Sequence, residues 1–230
     1  MCACDLEPRV FWTMAFFKAV CGIFLDALFP ISPAEQEMLS MQPEDIWKAV
    51  ARARNFSRKE SCSIFSYKDE RVRQLIWSLK YKKSRQAARI GGHALHRILR
   101  LYSSVAGELI VIPMPITKQR RRERGFNQCE LLADEIEKAD QDIHMKIAND
   151  LLIRARHKSR QTLKTRSERL ESAKELFAVN EKTLSGLKDQ QDRLVIVIDD
   201  VITTGSTMNE AVTALRKAGF EKTFGLSIAH

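Results

Sequence analysis

The feature that most constrains the fold is a run of five aliphatic residues, 194–198, that leads directly into two adjacent carboxylates, Asp199 and Asp200. An uninterrupted aliphatic run of this length is typical of a central strand in a parallel sheet, buried on both faces. A short loop of hydroxyl side chains and one glycine follows at residues 203–207. From Met208 the apolar residues recur at helical spacing, so the loop joins the carboxyl end of a strand to the amino end of a helix.

This loop is a candidate phosphate site. Backbone N–H groups and the helix dipole attract anions at the amino end of a helix, and Gly205 lets the backbone approach a ligand closely because it has no Cβ. Two carboxylates beside such a loop require a ligand that also carries hydroxyls, a metal ion or both, and ribose 5-phosphate with Mg²⁺ meets that requirement. The alternative is a buried strand that ends in a solvated turn. The order of strand, acid pair, loop and helix favours the site.

Residues 197–207 resemble the phosphoribosyl-pyrophosphate (PRPP) signature of type I phosphoribosyltransferases, in which aliphatic residues precede two acidic residues and a Thr/Gly-rich loop. The resemblance implies an α/β fold with a parallel sheet flanked by helices. It implies that Asp199 and Asp200 are the catalytic residues, holding the ribose hydroxyls and Mg²⁺ directly or through water. The residues expected to bind the 5-phosphate are Thr203, Thr204, Gly205, Ser206 and Thr207. The 6-oxopurine transferases of this superfamily carry an Asp where this chain has Thr203, which argues against that substrate class.

Composition limits the partners and the compartment. At 230 residues the chain can form one α/β domain with an appendage, and its net charge of +9 favours anionic ligands such as polyphosphates or nucleic acid. The five cysteines include no C-x-x-C pair, so we expect no zinc. A scattered, odd set of cysteines fits a reducing cytoplasm, and no cleavable signal peptide is evident.

The amino-terminal region contains one apolar stretch, residues 10–29, that has the length of a membrane span. It also carries Lys18 and Asp26, and a charge at the bilayer centre costs about 2.5–3.5 kcal/mol on insertion scales. We therefore expect no transmembrane span. A helix that packs on the body of the protein or on a partner chain is favoured over a helix that lies on a membrane surface.

The domain organisation follows from a second resemblance. Residues 25–30 resemble the leader of the ComF-like (competence protein F) subfamily, whose members usually continue with cysteine pairs that form a small zinc ribbon. Here Ser32, Pro33 and Glu35 form a predicted capping box instead, so helices are expected to replace the ribbon. Because residues 52–63 are polar and basic, we predict a helical extension over 1–63 and a phosphoribosyltransferase domain over 64–230.

The middle of the chain contains a second predicted strand and a strongly basic segment. Residues 109–112 form the strand, and the basic segment at 118–124 leaves its carboxyl end, the edge where open α/β sheets bind ligands. The motif at 122–128 closely resembles the ComF-like pattern. In related transferases the loop at this place binds pyrophosphate, so Lys118, Arg121 and Arg124 are assigned to it, with a solvated charged face as the alternative.

Two further segments have open roles. The helix predicted around residues 72–79 ends in Lys80-Tyr81-Lys82, where the lysines either are solvated or contact phosphate. Residues 154–169 follow a short strand predicted at 151–153 and are long for an irregular segment of a compact domain. By resemblance they are the flexible loop that closes over PRPP, and Arg156, Lys158 and Lys164 are assigned to that loop.

Two functions follow from these features. The first is a phosphoribosyltransferase that binds PRPP or a nucleotide monophosphate and transfers or removes the phosphoribosyl group at a nitrogen base, with displacement of pyrophosphate. The alternative is a ComF-like single-stranded DNA-binding protein that acts in DNA uptake with little or no catalysis, based on the basic segments 118–124 and 154–169. Phe126 is the one aromatic residue that accompanies these segments, which weakens this alternative because base stacking normally contributes about 1–3 kcal/mol per base. The sequence leaves open which base is the acceptor and whether the protein forms a homodimer.

Overall fold

The computed structural model describes residues 32–53, 57–58, 60–141, 145–155 and 176–230. The helices are α1 (Pro33–Ser40), α2 (Ile46–Ala49), α3 (Glu70–Tyr81), α4 (Arg85–Ala106), α5 (Lys118–Arg124), α6 (Gln128–Ala139), α7 (Glu181–Ser185) and α8 (Ser206–Lys217). The strands are β1 (Ser57–Arg58), β2 (Ser61–Phe65), β3 (Leu109–Pro113), β4 (Met145–Ile147), β5 (Leu152–Arg154), β6 (Phe177–Val179), β7 (Leu194–Val201) and β8 (Thr223–Ala229). The expected apolar helix at 10–29 and the flexible-loop residues Arg156, Lys158 and Lys164 lie outside the described residues.

Six strands form the main sheet in the order β1-β2-β8-β7-β3-β4. All neighbouring pairs are parallel except β1 and β2. β7 is central as predicted, because it pairs with β3 from Leu194 to Ile198 and with β8 from Val195 to Val201. The α/β class and the parallel sheet flanked by helices are therefore confirmed.

The aliphatic run of β7 supplies two apolar cores, one on each face of the sheet. Ile196 and Ile198 pack with α3, α4 and α6, whereas Val195 and Val197 pack with α8 and the β5–β6 ribbon. Successive side chains of a strand point to opposite faces, so an unbroken aliphatic run suits a strand that is covered on both sides. This double burial fixes β7 in the middle of the molecule and leaves its carboxyl end free to form a site.

The predicted capping box is half correct. Ser32 caps α1, since its Oγ accepts a hydrogen bond from the Glu35 N–H at 3.1 Å. The Glu35 side chain does not reach back to the cap, as the motif predicts. It is buried and accepts hydrogen bonds from Lys82 Nζ at 2.7 Å and from Ser78 Oγ at 3.3 Å. Lys82, which directly follows α3, stabilises this carboxylate more than a backbone N–H would, so α1 is anchored to the end of α3.

The interpretation of the basic segment as a loop is wrong, because residues 118–124 form α5. Thr117 caps its amino end by accepting from the Arg120 N–H at 3.2 Å, and Gly125 ends it with a left-handed φ of 79°. A threonine cap and a terminal glycine are standard helix boundaries, and Gln, Arg, Lys and Glu between them favour a helix. These signals were present in the sequence, but the charge run concealed them.

Three further predictions have mixed outcomes. The strand expected at 151–153 exists as β5, but it pairs with β6 in a separate antiparallel ribbon. β2 pairs with β8 and thus crosses the domain boundary predicted at residue 63, which stays a prediction. Within the described ranges, no helix has both the length and the apolar character needed to cross a bilayer.

Candidate active site

A cavity of about 370 Å³ opens where β3 and β7 end. It is lined by the end of α3, the turn after β3, α5, β5 and the segment that joins β7 to α8. The lining residues are Lys80, Tyr81, Met114, Pro115, Ile116, Arg120, Arg124, Gln128, Arg154, Asp199, Asp200, Val201, Ile202, Thr203, Thr204, Gly205, Ser206, Thr207 and Met208. The acid pair and the hydroxyl loop, which are neighbours in the sequence, thus line the same cavity.

The acid pair lies where β7 continues beyond its neighbour β3. The last pair between these strands is Pro113 with Ile198, so Asp199 and Asp200 follow directly after it. The Asp200 N–H donates to Asp199 Oδ1 at 2.8 Å, and the Val201 N–H donates to Asp200 Oδ1 at 3.0 Å. The carboxylates therefore satisfy backbone donors at the point where the sheet ends. Asp200 is only 3% exposed, and Asp199 is half-buried.

The electrostatics of this pair disfavour two negative charges side by side. Burial, followed by the neighbouring Asp200 charge, raises the pKa of Asp199 to about 8. The Cys129 thiol on α6 donates to Asp199 Oδ1 at 3.4 Å. Burial and then the two aspartates raise the pKa of Cys129 well above its ordinary value, so it stays a neutral donor. A ligand that supplies positive charge or hydroxyl donors would relieve the crowded carboxylates.

Lys80 forms an ion pair with one member of the acid pair. Its Nζ lies 3.0 Å from Asp200 Oδ2, and the lysine side chain is 24% exposed. The sequence left open whether Lys80 is solvated or contacts a ligand, and the structure makes it the counter-ion of Asp200. The sequence contained a signal that Lys80 lies close to the body of the protein. This residue follows Ile76 by one helical turn and is next to Leu79, and both of these residues are in the core.

The hydroxyl loop has the geometry expected of a phosphate site. Gly205 has a left-handed φ of 81° and immediately precedes α8, whose first residue is Ser206. Thr204 Oγ1 and Ser206 Oγ lie 3.1 Å apart. The first N–H groups of an α-helix have no intrahelical acceptor, so this 12-residue helix offers backbone donors to the cavity.

The structure changes the set of cations assigned to pyrophosphate. Arg124 lines the cavity as assigned, whereas Lys118 does not line it and Arg121 instead pairs with Glu130 at 2.5 Å. Arg120, four residues before Arg124, lines the cavity in their place. Residues four apart share one face of a helix, so the helical form of α5 decides which arginines face the site.

Arg154 on β5 is a further cation of the cavity that the sequence did not single out for the site. Its Nε donates to the Pro115 carbonyl at 3.2 Å, and its guanidinium lies 4.4 Å from the ring centroid of Phe177. Burial and the nearby charge of Arg120 lower the pKa of Arg154. These two guanidinium groups repel each other, so both would gain from a polyanion bound between them.

Comparison with known proteins agrees with the fold. Residues 130–228 match the model of the phosphoribosyl transferase domain, and this segment includes the acid pair, the hydroxyl loop and α8. The fold and this match define the class as a type I phosphoribosyltransferase fold.

Two curated relatives place the chain within that class. It is 33% identical over 113 residues to Competence protein F of Haemophilus influenzae, covering 49% of this chain and 46% of that protein. It is 30% identical over 110 residues to Competence protein ComFC of Bacillus subtilis, covering 48% of this chain and 39% of that protein. The chain is thus similar to these two competence proteins over about half of its length. The matched segment spans less than half the length of each relative.

Proposed function

We propose that this protein binds PRPP with Mg²⁺ and transfers or removes a 5-phosphoribosyl group at a nitrogen base, with displacement of pyrophosphate. The observation that supports it most is the meeting of an acid pair, an amide-lined loop and three arginines around one cavity: Asp199, Asp200, residues 203–207, Arg120, Arg124 and Arg154. Each group suits a different part of PRPP. Carboxylates suit ribose hydroxyls, a helix amino end suits a phosphate monoester, and arginines suit pyrophosphate.

The donor set fits Mg²⁺. The side-chain ligand atoms of Cys129, Asp199 and Asp200 lie within 4.8 Å of one another, and two of these three residues offer carboxylate oxygens. Mg²⁺ prefers carboxylate and water oxygens to sulfur, so Asp199 and Asp200 are the proposed ligands, directly or through water. When bound, Mg²⁺ would neutralise charge on the departing pyrophosphate. No zinc is proposed.

The protein's own groups would act by positioning and electrostatics. The loop holds the 5-phosphate, the carboxylates orient the ribose, and Arg120, Arg124 and Arg154 stabilise pyrophosphate as the bond from C1 to its oxygen breaks. The nitrogen of the base forms the new bond to C1 and releases its proton to solvent. The acid pair would stabilise the positive charge that develops on the ribose. The reaction therefore needs no covalent intermediate with the protein.

Direct binding and turnover test the proposal. Calorimetric titration of the protein with PRPP and Mg²⁺ should show binding, and candidate bases should then release pyrophosphate. The double variant Asp199→Asn/Asp200→Asn should lose both. Asp134→Asn, a neutralised exposed carboxylate on α6, is the matched control and should behave as the parent protein. Absence of PRPP binding by the parent protein would refute the proposal.

Single-stranded DNA binding in DNA uptake is the second candidate. The structure adds one observation in favour of DNA binding. Two exposed aromatic rings of α3, Trp77 and Tyr81, lie near the basic helix α5. Phosphate-led binding would weaken steeply with salt. The double variant Asp199→Asn/Asp200→Asn separates the two functions, because loss of negative charge should preserve or strengthen DNA binding in a gel-shift assay while it removes catalysis. A shift that is absent or insensitive to salt would exclude this candidate.

A further inference from the structure

The carboxyl end of α3 presents two adjacent aromatic rings beside the cavity. Tyr81 lines the cavity and is 62% exposed, and Trp77, one helical turn earlier, is 44% exposed. Their ring centroids lie 5.9 Å apart at an interplanar angle of 48°. We call this pair the aromatic shelf. Rings of this size are usually buried for stability, so a neighbouring exposed pair at a cavity mouth suggests a surface that receives a ligand.

Cations lie over both rings of the shelf. The Arg124 guanidinium carbon is 5.4 Å from the Tyr81 centroid, and Lys82 Nζ is 4.9 Å from the Trp77 centroid. Arg124 also lines the cavity and donates to Gln128 Oε1 at 3.0 Å. Aromatic rings and guanidinium planes are the two protein surfaces on which planar heterocycles stack. The shelf therefore combines both kinds of stacking surface at one place.

The shelf is tied to the carboxylates that the proposed function gives to the ribose. Lys80, which immediately precedes Tyr81, has its Nζ 3.0 Å from Asp200 Oδ2. Tyr81, Asp199 and Asp200 line the same cavity. A ring attached to C1 of a ribose held by those carboxylates therefore has an aromatic surface within the same walls.

The shelf is also held in place by contacts between α1 and the end of α3. The buried Glu35 carboxylate on α1 accepts from Lys82 Nζ at 2.7 Å and from Ser78 Oγ at 3.3 Å. These contacts fix the last turn of α3, which carries Tyr81. A surface that is already ordered costs less conformational entropy when a ligand binds.

We propose that Tyr81, supported by Trp77 and Arg124, is the stacking platform for the planar nitrogen heterocycle that is joined to the phosphoribosyl group. This inference rests on the proposed function for the sugar phosphate and adds the residue that selects the acceptor. It makes a flat aromatic ring the acceptor class, as opposed to ammonia or an aliphatic amine. Stacking depends little on ring identity, so purine and pyrimidine rings should both be accepted.

Paired ligands with and without a ring test the platform. Calorimetric titrations compare ribose 5-phosphate with AMP and UMP, on the parent protein and on Tyr81→Ala, Tyr81→Phe and Tyr67→Ala. Tyr67 is the matched control, since it is 40% exposed and does not line the cavity. We expect the parent protein to bind AMP at least about fivefold more tightly than ribose 5-phosphate, which corresponds to the low end of one stacked base.

The variants should divide by ligand. Tyr81→Ala should weaken AMP and UMP by about fivefold or more and leave ribose 5-phosphate unchanged, whereas Tyr81→Phe and Tyr67→Ala should match the parent protein. Equal nucleotide affinity in Tyr81→Ala and the parent protein would overturn the platform while leaving the proposed function intact. No binding of ribose 5-phosphate or of either nucleotide would overturn both. Tyr81-dependent binding of an oligonucleotide without binding of AMP or UMP would replace the platform by a polymer path.

Discussion

Replacement of Asp199 by Asn should stabilise the free protein near pH 8 and abolish its binding of PRPP. The substitution keeps the shape of the side chain and its Oδ1, which accepts from the Asp200 N–H and from Cys129 Sγ. Only the charge next to Asp200 is removed. A cationic or hydroxyl-rich ligand would relieve this repulsion, so the substitution should stabilise the free protein and weaken its binding of PRPP.

The pH dependence follows from the raised pKa of Asp199. Because that pKa is about 8 in the folded protein and 3.8 is its ordinary value, ionisation disfavours the folded state. The contribution of Asp199 to stability is fully present below about pH 4 and is lost as the pH rises through about 8. Raising a pKa by one corresponds to about 1.36 kcal/mol, so the whole rise sets an upper bound of about 6 kcal/mol. Water in the open cavity screens the charge, so we expect about 1–3 kcal/mol.

Urea unfolding at about pH 5 and about pH 8, with and without PRPP and Mg²⁺, measures both effects. The stability gain of Asp199→Asn over the parent protein should be larger at the higher pH, and PRPP should stabilise only the parent protein. Asp134→Asn serves as the control and should show neither change. A gain of equal size at both values of pH, or a loss at the higher one, would refute the account of charge crowding.

Three further substitutions test other parts of the site and the packing behind it. Lys80→Met removes the cation 3.0 Å from Asp200 Oδ2 and should cost about 1–3 kcal/mol of unfolding free energy. Mg²⁺ should raise the melting temperature of this variant more than that of the parent protein. An equal response to Mg²⁺ would contradict the pairing of Lys80 with Asp200. Gly205→Ala forces a φ of 81° on a residue with a Cβ, so it should cost about 1 kcal/mol in urea unfolding and weaken PRPP in calorimetry; unchanged affinity would argue against the loop as the phosphate site. Gly92→Ala places a Cβ 2.6 Å from Glu135 Cβ between α4 and α6, and should cost about 1–3 kcal/mol in unfolding without a change in PRPP affinity.

The parts of the structure that were predicted correctly are local in sequence. The unit of β7, loop and α8 combines an aliphatic run, an acid pair and a change to helical spacing within residues 194–217, and each signal has one simple structural meaning. The arginines that line the cavity differ from the assigned set for a different reason. A loop interpretation of residues 118–124 leaves out the helical spacing that places Arg120 and Arg124 on one face.

The contacts that sequence reasoning missed join distant parts of the chain. Lys80 reaches Asp200 only because the sheet order brings the end of α3 to the end of β7. Glu35 contacts Lys82 because α1 packs on α3. A residue of the predicted extension therefore touches the end of the helix that lines the cavity. Local periodicity places a residue on a face of its own element, but it does not tell which other element covers that face.

The charge balance of the cavity bears on how Mg²⁺ would enter. Four cations, Lys80, Arg120, Arg124 and Arg154, share the described walls with only two carboxylates, and Lys80 already lies against Asp200. Free Mg²⁺ would have to compete with Lys80 and with the net positive field, whereas Mg²⁺ that arrives on PRPP brings compensating phosphates. We therefore expect Mg²⁺ alone to change the melting temperature of the parent protein little, and Mg²⁺ with PRPP to raise it clearly. A large rise with Mg²⁺ alone would mean that the carboxylates hold the ion without help from the substrate, and that Lys80 yields to it.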